Sequence, residues 1–287
     1  MITVLIKMFK SKKFWIFFAK WLAPLFVIII AFSINALAGT GLILTWVAYL
    51  FYTNRAATYA LIANIKYTRN GIEEALKWLK KAYESGNAKP KHGILYGYLL
   101  LKSGRIDEAE EILNKVVASK VDPDSEMLVK SNLALALWKR GRLEEAICLL
   151  EEVHTNFKTT NIYGSLGYLL IIKGDLDKAL QFNLEAFEYN SSNSIILDNL
   201  GQTYYLRGEI DKAQEIYDKL MSNNPTFPEA YYNYSLVLQK QGHMEKAFET
   251  LKKSLDFKLS YLSTVTREEI GTKIAEMENI LSKNHID

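Results

Sequence analysis

What this chain has least of narrows it first. A single cysteine, Cys148, excludes an intramolecular disulfide. Only 5 prolines and 15 glycines interrupt 287 residues that are 49% hydrophobic, so little of the chain reads as linker and a large core is within reach. Acid is missing from residues 1–20, where Lys7, Lys10, Lys12, Lys13 and Lys20 stand. Those five lysines exceed the formal net charge of +3, so the remainder is weakly acidic and ill-suited to nucleic acid as its main partner.

The constellations of catalysis are missing too. His92, His154, His243 and His285 are scattered, with no HExxH or Cys/His ligand spacing, and nothing beside Cys148 would activate it as a nucleophile. No convincing strand exists, so no glycine-rich phosphate loop has the setting it needs. The acidic pairs Glu73-Glu74, Glu144-Glu145 and Glu151-Glu152 fall at helix starts and outer faces, where they favour the helix dipole and solvation. The expectation is a protein that is not an enzyme, with no cofactor, no metal and no small-molecule substrate.

Residues 1–55 are a different material from the rest. Between Lys20 and Arg55 there is no Asp, Glu, Lys or Arg. Crossing roughly 30 Å of hydrocarbon takes about 20 helical residues, so this stretch together with Phe14 to Ala19 reads as two transmembrane spans, about 14–32 and 37–53. The expected turn is Ser33 to Gly41, the one cluster of small and polar residues between them. Lys20 can snorkel to the interface, where Trp15, Trp21, Trp46, Tyr49 and Tyr52 would form the aromatic belts. Lysines before the first span and Arg55, Lys66 and Arg69 after the second predict a membrane protein with both termini and the body in the cytoplasm. A rival reading makes Trp21 to Ile34 a signal-peptide core cleaved after Ala36-Leu37-Ala38. The second apolar block, Gly41 to Thr53, argues against it, and the N-terminus of the purified protein decides.

From about residue 56 the chain keeps time. Asn70, Gly104, Gly141, Gly174, Gly208 and Gly242 are spaced 34, 37, 33, 34 and 34, and five positions after each comes Ala75, Ala109, Ala146, Ala179, Ala213 or Ala247. Such a period means stacked helical hairpins. Within 194–227, Leu197, Leu200, Gly201 and Tyr204 make a helical stripe, and Ile210, Ala213, Ile216, Tyr217 and Leu220 make a second before Pro225. The three residues that lengthen one interval fall in the turn-rich Val121 to Glu126. At the end, Thr266-Arg267-Glu268-Glu269 predicts a capping box opening a helix with Ile270, Ile274, Met277 and Leu281 on one face.

This pattern resembles the tetratricopeptide repeat, over units 56–89, 90–123, 127–160, 160–193, 194–227 and 228–261. The resemblance implies an all-α fold: a right-handed α-solenoid of about six repeats plus a C-terminal capping helix over 262–287, preceded by the two transmembrane helices. It further implies a concave groove lined by first helices, where positions of the repeat map to Tyr98, Leu101, Trp138, Tyr168, Ile171, Gln202, Tyr205, Tyr232 and Leu236, with Asn132, Asn199 and Asn233 at the sixth position. Several of these can equally be core, since neighbouring units bury part of such positions. The basic carboxylate clamp of chaperone-binding relatives is not reproduced, although Lys91, Lys102, Lys139 and Lys240 lie nearby. The expected function is a membrane-anchored scaffold that takes a protein or peptide partner in this groove; the alternative is an assembly subunit of a membrane complex contacting partners through the hairpin.

Overall fold

The structure is a computed structural model and describes residues 11–284; Lys7, Lys10 and His285 lie outside the described residues. The first rod is α1 (Lys12–Phe17), a π-helical turn (Phe18–Leu22) and α2 (Ala23–Ile34); α3 (Ala36–Thr53) returns against it. Phe14–Ile34 and Ala36–Thr53 are both long and apolar enough to cross a membrane. The break between them is far shorter than the sequence suggests. Only Asn35 leaves the helical region, at φ −157° and ψ 124°, and its Oδ1 accepts the backbone N–H groups of Leu37 (2.8 Å) and Ala38 (3.3 Å). Ala36 to Gly41 are therefore helix rather than turn, because one asparagine caps the second rod directly. Farther down the pair, Trp21 and Trp46 meet edge to face at 5.9 Å, and the Trp46 indole donates to the Lys20 carbonyl in the π turn.

Six helical hairpins follow: α4 (Arg55–Asn70) with α5 (Ile72–Glu84), α6 (Pro90–Lys102) with α7 (Ile106–Ala118), and α8 (Pro123–Lys139) with α9 (Leu143–Asn156). Then come α10 (Thr160–Lys173) with α11 (Leu176–Tyr189), α12 (Ser194–Leu206) with α13 (Ile210–Ser222), and α14 (Pro228–Lys240) with α15 (Met244–Lys253). A 3₁₀ turn (Ser254–Asp256), a loop and α16 (Arg267–Asn284) complete the described chain. No strand occurs among the described residues. Each recurring alanine, from Ala75 to Ala247, is at most 1% exposed, because there the second helix crosses the first too closely for a larger side chain. At Gly201 a Cβ would stand 2.6 Å from the Tyr217 ring, so glycine is what lets α12 reach α13.

Two details of the repeat differ from expectation. The first inter-helix turn is held by Gly71, not Asn70, which ends α4 as an ordinary helical residue. Gly71 adopts φ 89° and ψ −173°, a region open in practice to glycine alone, and so turns the chain one residue later in the repeat than the glycines of the later hairpins while keeping Ala75 in register. The residues inserted before the third unit do not form a longer loop either. Asp122 accepts the Ser125 N–H at 3.0 Å and Pro123 occupies the first helical position, so α8 gains an N-terminal turn and runs 17 residues.

The chain leaves α3 and enters the solenoid through Asn87. Its amide donates to the Thr53 carbonyl at 2.6 Å and its Oδ1 accepts the Ala56 N–H at 3.3 Å, tying the end of the apolar hairpin to the loop beneath the first repeat. At the other end the expected capping box is present: Glu269 N–H donates to Thr266 Oγ1 and Thr266 N–H to Glu269 Oε2. Ile270 and Met277 are buried against the sixth hairpin, with Ile274 packed beside them.

Candidate concave binding face

First helices of neighbouring hairpins pack on one another, α6 on α8 and α10 on α12 most extensively, whereas successive second helices make no comparable contact. The inner wall is therefore built from first helices, and its rungs are polar. Asn199 on α12 donates to the Gly164 carbonyl on α10 at 2.8 Å, and Asn233 on α14 donates to Asp198 on α12 at 3.1 Å. Behind them Asn183 donates to the Thr203 hydroxyl at 3.1 Å, and the Tyr217 hydroxyl donates to Asp198 Oδ1 at 3.0 Å. Asp198 is buried, and desolvation pushes its carboxyl up to about 7 against the pull of the Asn233 and Tyr217 donors.

The loop between α15 and α16 crosses this wall. Phe257 stacks on Tyr231 at 5.0 Å, and a tight turn forms where Ser263 N–H donates to the Ser260 carbonyl at 3.0 Å. From the turn, Tyr261 N–H donates to the Lys102 carbonyl at the end of α6 at 2.9 Å. Leu262 packs into the apolar cluster of the first three hairpins. Lys139 Nζ donates to the Ser263 carbonyl at 3.2 Å, and the next N–H, that of Thr264, donates to Glu229 Oε1 at 3.0 Å. A lysine from the third hairpin and a glutamate from the sixth thus hold the two ends of one peptide group. The Lys139 ammonium also lies 3.9 Å from the Trp138 ring, and burial lowers its proton affinity.

Between the loop and the last two first helices remains a cavity of about 170 Å³. Gln202, Tyr205, Tyr232 and Asn233 line it, together with Leu236, Thr264, Val265 and Glu269. Burial raises the phenols of Tyr205 and Tyr232 above their ordinary range, so both present neutral hydroxyls. Trp138 and Tyr168 form a separate edge-to-face pair at 5.5 Å, and burial pushes the Tyr168 phenol up to about 12. Tyr98 lies farther along, exposed, with Lys102 Nζ 6.0 Å from its ring, and Asn132 is half-buried on α8. The predicted set therefore divides into a cavity at hairpins five and six, an aromatic pair at three and four, and Tyr98 at two. Leu101 and Ile171 are core.

Two predicted amides serve within the stack. Asn199 and Asn233 bond the preceding repeat, so one amide N–H of each is already engaged. The pair Lys139 and Glu229 was not legible as a pair, because the peptide group that unites them comes from a loop with no repeat pattern. The histidines fit structural roles: His92 Nδ1 accepts the Lys89 N–H at 2.8 Å to cap α6, and His154 lies 4.8 Å from the Tyr163 ring. Cys148 is exposed, and no group of residues with metal-ligand character occurs among the described residues.

Hairpins with a buried alanine at fixed register, glycine at the helix crossing and first helices inward define a helical-repeat solenoid of the interaction-module class. Models of the tetratricopeptide repeat match residues 94–157, 197–226 and 216–249, so those segments carry that repeat. It is similar to the TPR repeat-containing protein YvcD of Bacillus subtilis, 32% identical over 128 residues, or 44% of this chain. The match spans only about a quarter (26%) of that relative's length. Among solved structures it is similar to PilF of Pseudomonas aeruginosa, with a TM-score of 0.54 at 16% identity over 70% of this chain and 91% of that one, a likeness of fold alone. A TM-score of 0.41 at 20% identity relates it more distantly to YrrB, described as a TPR protein with an unusual peptide-binding site, over 62% of this chain and 91% of that one.

Proposed function

We propose that this protein is a membrane-anchored interaction scaffold: residues 1–55 anchor it, 56–261 form the repeat solenoid, 262–287 close its end, and a segment of a partner protein docks on the concave face. The protein acts by binding rather than catalysis. One observation carries the reading: the concave face already holds irregular chain by its backbone, through Lys139 and Glu229. A surface that satisfies peptide groups from helix-borne side chains is suited to a peptide. Trp138, Tyr168, Gln202, Tyr205 and Tyr232 supply the side-chain contacts. Anchoring to the cytoplasmic face of a membrane raises the effective concentration of the scaffold toward other membrane-bound partners without new contacts.

A photo-crosslinking residue placed at Tyr205 in intact membranes tests this, with Trp138→Ala and Gln202→Ala as companions. Crosslinks to a discrete partner that weaken in both companions, at unchanged helicity, support the groove; the same profile in every variant removes it. Replacing residues 1–55 by an unrelated apolar hairpin separates the two binding modes, because a complex that survives the exchange does not depend on specific hairpin contacts. Carbonate extraction and N-terminal sequencing test the anchor: a mature chain beginning at Gly39 overturns the two-span arrangement.

A further inference from the structure

The stretch Leu259 to Thr266 carries no charge, although Lys258 and Arg267 flank it. Among the described residues it is the one long irregular segment that reaches from the second hairpin to the sixth, through Lys102, Lys139 and Glu229. Three of its polar contacts with the solenoid are to its backbone, and the Thr264 hydroxyl faces the Tyr168 phenol, so the wall reads peptide groups and a side-chain hydroxyl. Its two ends differ. Val265 is buried and Thr266 caps α16, whereas Tyr261 at the tip is 48% exposed and rests edge-on above Gly104. The tip is held by one backbone hydrogen bond, by Leu262 against the apolar cluster and by the half-exposed Tyr261 ring over Gly104, and it can lift as a unit while the capped end stays in place.

We propose that the loop Phe257–Thr266 is a built-in occupant of the concave face and that the outside partner is an uncharged, hydroxyl-bearing peptide segment that takes over its contacts to Lys102, Lys139 and Glu229. This rests on the reading of the concave face as the docking surface and adds what that surface prefers and what must move first. Free chain competes with a tethered copy of itself, so affinity for any partner is reduced by the fraction of molecules in which the tip is down. Lys139 and Glu229 act on whichever peptide is present. The loop variant and the wall variant therefore have opposite effects.

The test uses the full chain in detergent micelles and a fluorescein-labelled peptide of residues 258–266, followed by anisotropy. The variant Tyr261→Gly/Leu262→Ser removes the tip's hold and leaves Val265 and the Thr266 cap intact. It should bind the peptide at least about tenfold more tightly than the unsubstituted chain. Adding Lys139→Met and Glu229→Gln should take that gain away, with circular dichroism unchanged. In the unsubstituted chain, hydrogen exchange at the Tyr261 amide should outpace exchange at the Val265 amide. Equal affinity for the two loop forms, no binding to a well-folded loop variant, or dimers formed by loop exchange each overturn the proposal. The crosslinking at Tyr205 is read with the loop intact, so it can stand when this fails, and failure there leaves the peptide result to be judged alone.

Discussion

The two ends of this chain use the same side chains in opposite ways. In the N-terminal hairpin Phe26, Ile34 and Leu37 are 66%, 80% and 83% exposed, and Ile28 and Gly39 are the buried residues of α2 and α3. In the solenoid Leu100, Leu113 and Leu150 are fully buried. Apolar area in water costs about 25 cal/mol per Å², so one sequence composition cannot serve both regions in one solvent. The solenoid supplies its own apolar phase by stacking. The hairpin has no such phase of its own, and the proposed anchoring would supply one from outside.

The sharpest way to break the comparison is to truncate one leucine in one region and one phenylalanine in the other. Leu150→Ala should destabilise the repeats by about 2–5 kcal/mol, because the stack relaxes only partly around the cavity. Phe26→Ala should leave the solenoid's denaturation midpoint where it was and weaken only membrane retention. Equal effects on the midpoint would mean that α2 packs on protein rather than lipid.

Asp198 sharpens the contrast within the solenoid. The first three hairpins share an apolar cluster around Leu100, Leu101 and Leu113, while hairpins four to six are joined by the amide and carboxyl chain. With its carboxyl raised to about 7, against about 4 in an unfolded chain, Asp198 keeps its proton longer when folded. Between about pH 4 and 7 the folded state therefore binds the extra proton, and stability falls as pH rises through that window. Below it both states are protonated; above it both are ionised and the loss is complete, on the order of a few kcal/mol. Asp198→Asn should flatten the profile and be more stable than the parent at pH 8. A parent curve that rises from pH 5 to 7, with the variant following it, would show that the carboxyl is ionised throughout. Asn199→Ala should cost somewhat less, about 1–3 kcal/mol, by removing the second hydrogen bond to the Gly164 carbonyl and leaving a small void between the two helices; an unchanged urea midpoint would mean water replaces the amide.

How much of this was written in the sequence depended on whether a contact repeats. Ala75 to Ala247 were legible, because every hairpin must solve the same crossing and uses the same small residue to do so. The capping box at Thr266 was legible from its own four residues. Gly71 was not, since a neighbouring Asn70 completes the 34-residue spacing equally well and only the backbone angles decide between them. The loop after α15 was invisible: nothing in Ser260-Tyr261-Leu262-Ser263 announces that it will reach Lys102, more than 150 residues earlier. Single-copy contacts between distant segments leave no period to read.

The smallest effect belongs to the outer seams. Arg140 at the end of α8 pairs with Asp107 and Glu110 at the start of α7, Lys173 with Glu144 at 2.6 Å, and Arg207 with Asp177, so one cation in each of the third, fourth and fifth hairpins reaches back to the preceding second helix. The recurrence suggests a structural rule, but these side chains are solvated, and pairs in water lose in side-chain freedom most of what they gain in attraction. Arg140→Ala should shift the urea midpoint least of all the substitutions considered, and the shift should vanish near 1 M salt, where the Debye length is about 3 Å. A large, salt-resistant loss would reverse the order argued above, making the seams rather than the buried alanines and leucines the source of cohesion between repeats.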